Sequence, residues 1–562
     1  MNSIASITDY KGKIEHTMSS INLERLPLAS TGFVNLREAN KIYVDKTELI
    51  YKLTRYDSAP IFLSRPRRFG KSLLVSTFEA LFSRGLEDFH GLAIEKLWKA
   101  DKEKKNYKVL HLDFSEFYDL NGIELNRRIC RYLVHKLSNY VDIKVSDDQG
   151  RDYGCEELLR IISEDEKFES KTIVLLIDEY DAPIVHAMND PKLLSEITGV
   201  LGRFFAAIKS CEKIFRFVFI TGITRLSTVH LLSPANNQND ISFAPQYASL
   251  VGITEKELHY YFEPFIVNAS EVLGISPEET YTKLKTTYNG FQFAIEAKET
   301  VYNPWSILSF LSKPHLGFKN YWFESNGGTP SLLVNHLKQN YLETQFLEKT
   351  KKDNNVSTIE LEQKSDINRI PLDILLYQTG YYTLRNIGTP DFAKLEYPNE
   401  EVESSIIQLK EVVGNFRISA DTSVALNQNL IKYVDEKNLE GIRKLFNSIL
   451  TDCLGPSTIV FNSETDVRDI IYSHINLIGL LKSKEQENLY GYSDLELKTP
   501  KTRLVIEFKR IKKDKLEPKA REKAKAQIKE KAYGEDPYNH THVRASMIIS
   551  SEQKKIIKVE LV

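Results

Sequence analysis

Four apolar runs in the first half of the chain have the composition of buried strands. They cover residues 59–63, 107–114, 171–181 and 215–225, and the third reads KTIVLLIDEYD. Continuous apolar runs that end in polar residues are typical of strands buried on both faces of a parallel sheet. The helix-compatible segments SLLVSTFEALF and IELNRRICRYLVHKL lie between them. The pattern therefore predicts an α/β domain built around a parallel sheet.

The last part of the chain has a different pattern, a hairpin between two helices. Residues 489–498 read LYGYSDLELK and residues 503–510 read RLVIEFKR, joined by the turn TPKT. Helical patterns cover residues 466–482 before the hairpin and 517–533 after it, and a last apolar strand reads HVRASMIIS. We expect a smaller α/β domain here, with an α-β-β-β-α-β core.

Changes in composition divide the chain into five segments. A polar leader covers residues 1–25, and the parallel-sheet domain covers residues 26–255. A helical region rich in aromatic residues follows at 256–347, after a Thr-x-x-Glu helix start, and we expect it to form a packed lid. Residues 348–454 combine a charged linker, 348–364, with a winged-helix-like or hairpin-helical module. Residues 455–562 form the last domain.

Composition limits the classes of protein that fit. A chain of 562 residues is expected to hold two to four domains. The net charge of −2 means that any basic surface for nucleic acid must be local. The four cysteines are scattered without metal-type spacing and indicate free thiols in a reducing compartment. Because no apolar run approaches about 20 residues and the N-terminus lacks a signal-peptide core, we expect a cytoplasmic protein without a membrane partner.

The stretch RPRRFGKS, after the first apolar run, is a candidate phosphate loop. Strand, loop and helix occur in the order that a P-loop requires, although Arg65 stands where its first glycine is expected. Backbone N–H groups would face the phosphates of ATP, Lys71 would reach the terminal ones, and the Ser72 hydroxyl would bind Mg²⁺. The residues predicted to contact the nucleotide are Arg67, Arg68, Phe69, Gly70, Lys71, Ser72 and Leu73.

Two later strand ends carry the residues that could complete an ATPase site. Asp178 would hold Mg²⁺ and Glu179 would polarise the attacking water. In the segment TGITR, Thr221 or Thr224 would sense the γ-phosphate, and Arg225 would neutralise its developing charge. GKS tripeptides and acidic pairs are both common by chance, so the prediction rests on their order and on the apolar strands that precede them. Asp113, at the end of the 107–114 run, is better explained as a turn residue than as a catalytic one.

The order of these runs also predicts a sheet topology. The 107–114 run falls between the phosphate loop and the acidic strand in the sequence. We therefore expect an added strand between the phosphate-loop strand and the acidic-pair strand, as in AAA-type and RecA-type ATPases.

The hairpin near the C-terminus carries a second set of charged residues. Residues i and i+2 of a strand face the same side, so Glu507 and Lys509 project together while Ile506 and Phe508 point into the core. Asp494 on the neighbouring strand would bring a second carboxylate, and two carboxylates suit Mg²⁺, with Mn²⁺ as a substitute. Alternating charge on a hairpin usually marks a solvated face, but this strand is otherwise apolar and a buried Glu-Lys pair needs a reason. The lysine-rich tract that follows is an exposed helix face, part of which could contact phosphates.

Several motifs resemble one family, the bacterial AAA-ATPase-like proteins. They are RPRRFGKSL, YVDKTELI, YNGFQF, VYNPWSIL, LLYQTGYYTL and YPNEEV, and the resemblance covers most of residues 26–535. It implies an N-terminal P-loop domain and a C-terminal domain similar to the PD-(D/E)XK nucleases, which have a restriction-endonuclease-like fold. The RPRRFGKS loop is typical of that family, and TGITR resembles the arginine-bearing sensor of signal-transducing STAND ATPases. The resemblance adds Gln527 as a catalytic candidate on the second helix. No acidic residue of the first helix is evident, with Asp469 nearest and His474 an alternative.

We expect an ATP-dependent, Mg²⁺-dependent nuclease that cleaves DNA in preference to RNA, with catalysis by Asp494, Glu507 and Lys509. A role in defence or mobile-element biology follows from the resemblance alone. One alternative is a STAND-like signalling switch whose last domain binds nucleic acid or protein without cutting. Another is a remodelling ATPase that acts as a homo-oligomeric ring, with Arg225 working in cis or in trans.

Overall fold

The computed structural model of the chain describes residues 22–28, 32–56, 60–100, 107–117, 119–138, 146, 151–166, 170–226, 239–322, 331–340, 353–363, 367–389, 391–413, 420–454, 464–475, 481–488, 491–499, 501–513, 517–530 and 541–562. The chain divides into two compact units. The first comprises Met1–Asn335 and Lys352–Val402, and the second comprises His336–Lys351 and Glu403–Val562. Among the helices described, none is long and apolar enough to cross a membrane.

A five-stranded parallel sheet forms the centre of the first unit; four of its strands lie in the predicted apolar runs, and the fifth lies outside them. Its strands are β1 Ile61–Ser64, β2 Lys108–Asp113, β3 Ile173–Asp178, β4 Phe215–Gly222 and β5 Asn239–Asp240. The order across the sheet is β2-β3-β4-β1-β5, and all four pairings are parallel. The expected added strand between the phosphate-loop strand and the acidic strand is β4. The 107–114 run forms β2 at the edge of the sheet.

In the described part of this unit, the helices beside the sheet are α1 Phe33–Glu38, α2 Thr47–Thr54, α3 Lys71–Arg84, α4 Ile94–Lys99, α5 Gly122–Leu137, α6 Cys155–Glu164, α7 Ala182–Ala187 and α8 Pro191–Ser210. Helix α3 begins directly after the phosphate loop. Its Phe78 ring packs 4.9 Å from the ring of Phe217 and 5.0 Å from that of Phe219, both on β4. This packing fixes the first turn of α3, with Lys71 and Ser72, against the sheet.

The helical region that follows begins as the Thr-x-x-Glu pattern predicts. It contains β6 Ile253–Thr254, α9 Glu255–Leu273, α10 Pro277–Tyr288, β7 Val301–Tyr302, α11 Pro304–Ser312 and α12 Ser331–Asn340. The Thr254 side chain accepts a hydrogen bond from the Glu257 N–H, and the Glu257 carboxylate accepts one from the Thr254 N–H, which is a capping box. Aromatic residues such as Phe262, Tyr288 and Phe310 lie in a buried core, as expected for a packed helical region.

A small antiparallel sheet completes the first unit. Its elements are β8 Asp353–Ser357, α13 Thr358–Glu362, α14 Leu372–Gln378, β9 Thr383–Asn386 and β10 Phe392–Glu396, and α15 Glu400–Val413 follows. The predicted order of helix, strand, turn, strand and helix corresponds to α14, β9, β10 and α15. Strand β8 pairs with β10 and lies in the segment for which a loose linker is expected, so that expectation is wrong for residues 353–363. We call residues 353–396 the β8–β10 module.

The second unit contains a five-stranded mixed sheet with helices. Its helices are α16 Ala420–Asp435, α17 Leu439–Leu454, α18 Glu464–Ile475 and α19 Glu517–Glu530, and its strands are β11 Leu481–Asn488, β12 Gly491–Lys498, β13 Thr502–Ile511, β14 Thr541–Ser550 and β15 Lys555–Leu561. The sheet order is β11-β12-β13-β14-β15, and only the β13–β14 pairing is parallel. The α-β-β-β-α-β core is therefore present, in α18, β11, β12, β13, α19 and β14.

One predicted helix of this unit is wrong in its bounds. A helix is expected over 466–482, but α18 begins at Glu464 and ends at Ile475, and residues 481–488 form strand β11. The predicted hairpin is present as β12 and β13. Ile506 and Phe508 are fully buried in the core of this unit, as the alternation of β13 predicts.

Candidate functional site

The phosphate loop turns through two residues with left-handed backbones. Arg68 has φ 65° and Gly70 has φ 100°, and Gly70 caps the N-terminus of α3. The Lys71 ammonium lies across the loop and donates to the carbonyl oxygens of Arg65, at 3.0 Å, and Pro66, at 2.9 Å. Burial lowers the pKa of Lys71, and the nearby Asp178 opposes that shift. The ammonium is thus held in the loop by groups that a phosphate oxygen can replace.

Arg65 supports the loop from the protein interior. Its guanidinium donates to the carbonyl oxygens of Ser64 and Ser242, both at 2.8 Å, and lies 4.3 Å from the centre of the Phe293 ring. Only 1% of the residue is exposed, and burial lowers its pKa to about 10. Arg65 therefore has a structural role, and the turn that the usual first glycine would allow is made at Arg68 and Gly70.

A cavity of about 550 Å³ opens from the phosphate loop. Glu179 and the seven residues predicted to contact the nucleotide, Arg67 to Leu73, line it. The rest of its wall is mainly apolar and comes from the N-terminal lead-in and the helical region, including Leu28, Ile42, Tyr43, Val251 and Trp305. A polar end of N–H and ammonium groups beside an apolar wall is suited to a phosphorylated nucleoside.

The acidic pair at the end of β3 borders the same loop. Asp178 is buried and accepts hydrogen bonds from the Ser72 hydroxyl and from the Glu179 N–H. Burial raises the pKa of Asp178 and also that of Glu179. Glu179 has φ 48°, an uncommon conformation for a residue with a side chain, and such strain concentrates at functional sites. Asp113 lies beside Asp178 in the sheet and accepts from the Ser115 N–H at 2.9 Å, in agreement with a turn role.

The residues of the TGITR segment make interior contacts. The Thr221 hydroxyl donates to the Leu63 carbonyl oxygen at 2.8 Å, and the Thr224 hydroxyl donates to Asp181 at 2.6 Å. Arg225 is 5% exposed and forms an ion pair of 2.5 Å with Asp240. The predicted contacts of Thr221 and Arg225 with a γ-phosphate stay predictions, and each would require these interior bonds to be exchanged.

Tyr180 and Asp181 have a structural role that no pattern in the sequence indicates. Asp181 accepts from the N–H groups of Ile223, at 3.0 Å, and Thr224, at 2.7 Å. The Tyr180 hydroxyl donates to the Thr224 carbonyl oxygen at 2.9 Å and accepts from the Leu226 N–H. The residues after the acidic pair therefore hold the segment that follows β4.

The hairpin of the second unit brings its three predicted residues together. Leu495 of β12 pairs with Ile506 of β13, so Asp494 and Glu507 occupy opposite positions at the next step of the register. Lys509 Nζ donates to Glu507 Oε1 at 2.8 Å. Asp494 Oδ2 accepts from the backbone N–H of the residue after Glu507, Phe508, at 2.8 Å.

The electrostatics of this group are those of a buried charged cluster. Glu507 is 1% exposed, and burial together with the charge of Asp494 raises its pKa to about 7. Burial also raises the pKa of Asp494. For Lys509, burial opposes the charged form, but the hydrogen bond to Glu507 and the charges of Glu507, Glu464 and Asp494 together outweigh it, and the pKa is raised. Among the described residues, Glu507 Oε2 has no hydrogen-bond partner.

Glu464 is the acidic residue of the first helix that sequence reasoning missed. It is the first residue of α18, and its Oε1 accepts from the Arg510 N–H at 2.9 Å. Its Oε2 lies 3.5 Å from Lys509 Nζ. The predicted helix began at 466, which left Glu464 outside it. The side chains of Asp469, His474 and Gln527 lie outside what the structure describes, so the role of Gln527 stays a prediction.

The group fits a divalent ion with few protein ligands. No cluster of three or more His, Cys, Asp or Glu side chains arranged to bind a metal occurs in the described part of the chain. Two carboxylates are sufficient for Mg²⁺, which keeps several waters. A buried carboxylate oxygen without a partner, on Glu507, is the acceptor that such an ion would satisfy.

Two family models match the chain, and each match contains one of the two sites described above. Residues 27–232, which contain the phosphate loop and the acidic pair, match the family described as "Predicted AAA-ATPase". Residues 462–560, which contain Glu464, Asp494, Glu507 and Lys509, match the "PD-(D/E)XK nuclease superfamily". Over 526 residues the chain is 29% identical to an uncharacterized protein in the vnfD 5′ region of Azotobacter chroococcum mcd 1, covering 91% of this chain and 93% of that protein.

Proposed function

Because the chain joins an AAA-ATPase-like domain to a domain of the PD-(D/E)XK nuclease superfamily, we propose that it is a nuclease whose activity depends on nucleotide. It binds and hydrolyses ATP at the phosphate loop and cleaves phosphodiester bonds, of DNA in preference to RNA, at Asp494, Glu507 and Lys509. Mg²⁺ serves both sites, and Mn²⁺ can replace it.

The observation that carries the nuclease proposal is the burial of Glu507 beside Asp494 and Lys509. Burying a carboxylate oxygen without a partner, as for Glu507 Oε2, costs free energy unless a bound cation interacts with that oxygen. A divalent ion bound there would supply Lewis-acid stabilisation of the phosphate and activate a water. Lys509, fixed by its bond to Glu507, holds its ammonium where it can orient a water or neutralise charge at the phosphorus. The Phe508 N–H keeps the Asp494 carboxylate oriented.

The ATPase proposal rests on the cavity at the phosphate loop. Lys71 and the N–H groups at the start of α3 bind the phosphates, and the apolar wall around Ile42 and Trp305 takes the base. Ser72 and Asp178, which are hydrogen-bonded to each other, hold the Mg²⁺. Glu179 accepts a proton from the attacking water, for which its raised pKa is suited.

Contacts inside the first unit support nucleotide-dependent regulation. Arg225 donates to the Leu361 carbonyl oxygen at 2.7 Å, and its backbone N–H donates to the Gln378 side chain at 3.2 Å, both in the β8–β10 module. The phosphate loop also meets this module, because a Cβ on Gly380 would lie 2.8 Å from Pro66. From this module the chain continues through α15 into the nuclease domain. A change at the phosphate loop or the acidic pair therefore reaches the segment that leads to the nuclease site.

The test is cleavage of plasmid DNA, single-stranded DNA and single-stranded RNA with Mg²⁺ or Mn²⁺, with and without ATP. Metal-dependent cleavage should be lost in Asp494→Ala, and its dependence on ATP should be lost in Lys71→Ala. The matched controls are Glu552→Ala and Lys99→Ala, exposed residues of the respective domains. If the native protein hydrolyses ATP but cleaves no substrate under any condition, the nuclease proposal fails and a signalling switch takes its place.

A further inference from the structure

A buried arginine lies beside the carboxylates of the nuclease site. Arg468, on α18 one turn after Glu464, is 4% exposed. Its Nη1 lies 3.9 Å from Asp494 Oδ1. Arg468 and Lys509 are thus two cations that lie beside the described carboxylates of the site, Glu464, Asp494 and Glu507. A buried cation beside a metal-binding carboxylate competes with metal, so its presence there requires an explanation.

Three hydrogen bonds and one ion pair use four of the six carboxylate oxygens of Glu464, Asp494 and Glu507. One oxygen of Asp494 accepts from a backbone N–H, and one oxygen of Glu507 accepts from Lys509. Glu464 directs one oxygen to a backbone N–H and the other toward Lys509. The remaining acceptors are Asp494 Oδ1, which faces Arg468, and Glu507 Oε2, which is buried and has no partner among the described residues.

The formal charges of the site favour a single divalent ion. With all carboxylates ionised, the described side chains of the site, three carboxylates and two cations, give −3 + 2 = −1, so one divalent ion brings them to +1 and a second would bring them to +3. In a site with Glu507 almost fully buried, that excess of positive charge is costly.

We propose that the site binds a single divalent ion, held by Asp494 Oδ1 and Glu507 Oε2, and that Arg468 supplies the positive charge of a second ion. Arg468 acts by its charge beside Asp494 and is not itself a catalytic residue. The inference rests on the proposed nuclease site, but its test counts ions and does not depend on cleavage.

The first measurement is the number of Mn²⁺ ions bound by the full chain, by electron paramagnetic resonance and by calorimetry, in the native protein and in Asp494→Ala. Ions at the phosphate loop are present in both and cancel in the difference. A difference of one ion per chain is expected. A difference of two would overturn the inference, whatever any arginine variant does.

The second measurement uses Arg468→Gln, with Arg468→Lys as the charge-conserving variant. In Arg468→Gln we expect the ion lost in Asp494→Ala to bind roughly tenfold tighter, and a second ion to appear, because a nearby positive charge is gone. Arg468→Lys should keep one ion and an affinity within about threefold of the native value. A role limited to holding Asp494 in place predicts the opposite sign, weaker binding in Arg468→Gln, and that result would overturn the inference.

Arg503→Gln is the matched control. Arg503 lies on β13, four residues before Glu507, and forms an ion pair with Glu496. The variant removes the same charge from the same domain, and Mn²⁺ binding should not change. The two proposals separate cleanly: single-ion binding without cleavage refutes the nuclease function alone, and cleavage with two ions refutes this inference alone.

Discussion

At the residue scale, both sites combine a buried carboxylate with a lysine. Asp178 is influenced by the charge of Lys71, and Glu507 is hydrogen-bonded to Lys509. Burial raises the pKa of both carboxylates, so each holds a proton more tightly than an exposed acid does. Protons and metal ions compete for these oxygens, so metal binding is linked to pH.

The pKa of about 7 at Glu507 predicts how Mn²⁺ affinity of the nuclease site depends on pH. Below that value Glu507 carries a proton that the ion must displace, so affinity should fall as the pH is lowered, by up to about tenfold per pH unit. Above about pH 8 the carboxylate is ionised and affinity should level off. Calorimetry from pH 6 to 8 measures this, counting only the ion that Asp494→Ala removes.

Glu507→Gln is the variant that isolates the titration. Its amide cannot bind a proton in this range, so the residual Mn²⁺ binding should be weak and nearly independent of pH between 6 and 8. A pH dependence that survives in Glu507→Gln would assign the titration to another group.

At the element scale, the sequence patterns predicted four strands of the parallel sheet and strands β12, β13 and β14 of the second sheet. Strands β1, β3 and β4 are mainly apolar, and β2 buries Leu110 and Leu112; such segments have few other places to bury their side chains. Strand β11 could not be predicted, because it reads LKSKEQEN and its one apolar residue is Leu481. Strand β11 forms because it pairs with β12 at one edge of the sheet, and not because of its own apolar pattern.

The surroundings of individual site residues were harder to predict than the elements. A strand-end arginine such as Arg225 can face a ligand or the interior with the same local pattern. Its partners include Asp240, 15 residues away, and Leu361, 136 residues away, and local sequence carries no sign of the second. Glu464 was missed for a related reason, since helix termini are the least certain part of a helix prediction.

Gly380 provides a test of the contact between the phosphate loop and the β8–β10 module. Gly380 and Gly388 have φ values of +85° and +84°, so alanine strains both backbones to a similar extent. At Gly380 the added Cβ would lie 2.7 Å from Trp322 and 2.8 Å from Pro66, whereas at Gly388 nothing lies within 4 Å. Gly380→Ala should therefore lower the free energy of unfolding by about 2 kcal/mol more than Gly388→Ala does.

The measurement is chemical denaturation of both variants beside calorimetric titration with ATP. Because Pro66 is part of the phosphate loop, Gly380→Ala should also weaken ATP binding roughly tenfold, and Gly388→Ala should leave it unchanged. Equal stability and equal ATP affinity in the two variants would exclude a role for this contact.

At the scale of the whole molecule, the chain joins an AAA-ATPase-like domain to a domain of the PD-(D/E)XK nuclease superfamily. The acidic pair, the segment after β4 and the β8–β10 module are connected by the bonds of Asp181, Tyr180 and Arg225. Glu401, at the start of α15, accepts from the Ser306 hydroxyl at 2.8 Å and anchors the helix through which the chain leaves the first unit. The proposed regulation leaves two possibilities, control by occupation of the phosphate loop and control by ATP hydrolysis, and a variant at Glu179 distinguishes them.

Glu179→Gln separates the binding of ATP from its hydrolysis. The amide keeps the shape of the side chain but cannot accept a proton from water, so hydrolysis should fall by about a hundredfold or more while ATP affinity stays within about threefold. If occupation of the phosphate loop controls the nuclease site, ATP-stimulated cleavage should persist in this variant and outlast that of the native protein. Glu164→Gln, an exposed change on α6, should match the native protein in both assays. A variant that binds ATP but no longer shows ATP-stimulated cleavage would assign the control to hydrolysis, and the contacts of Arg225 would then have to rearrange during the catalytic step.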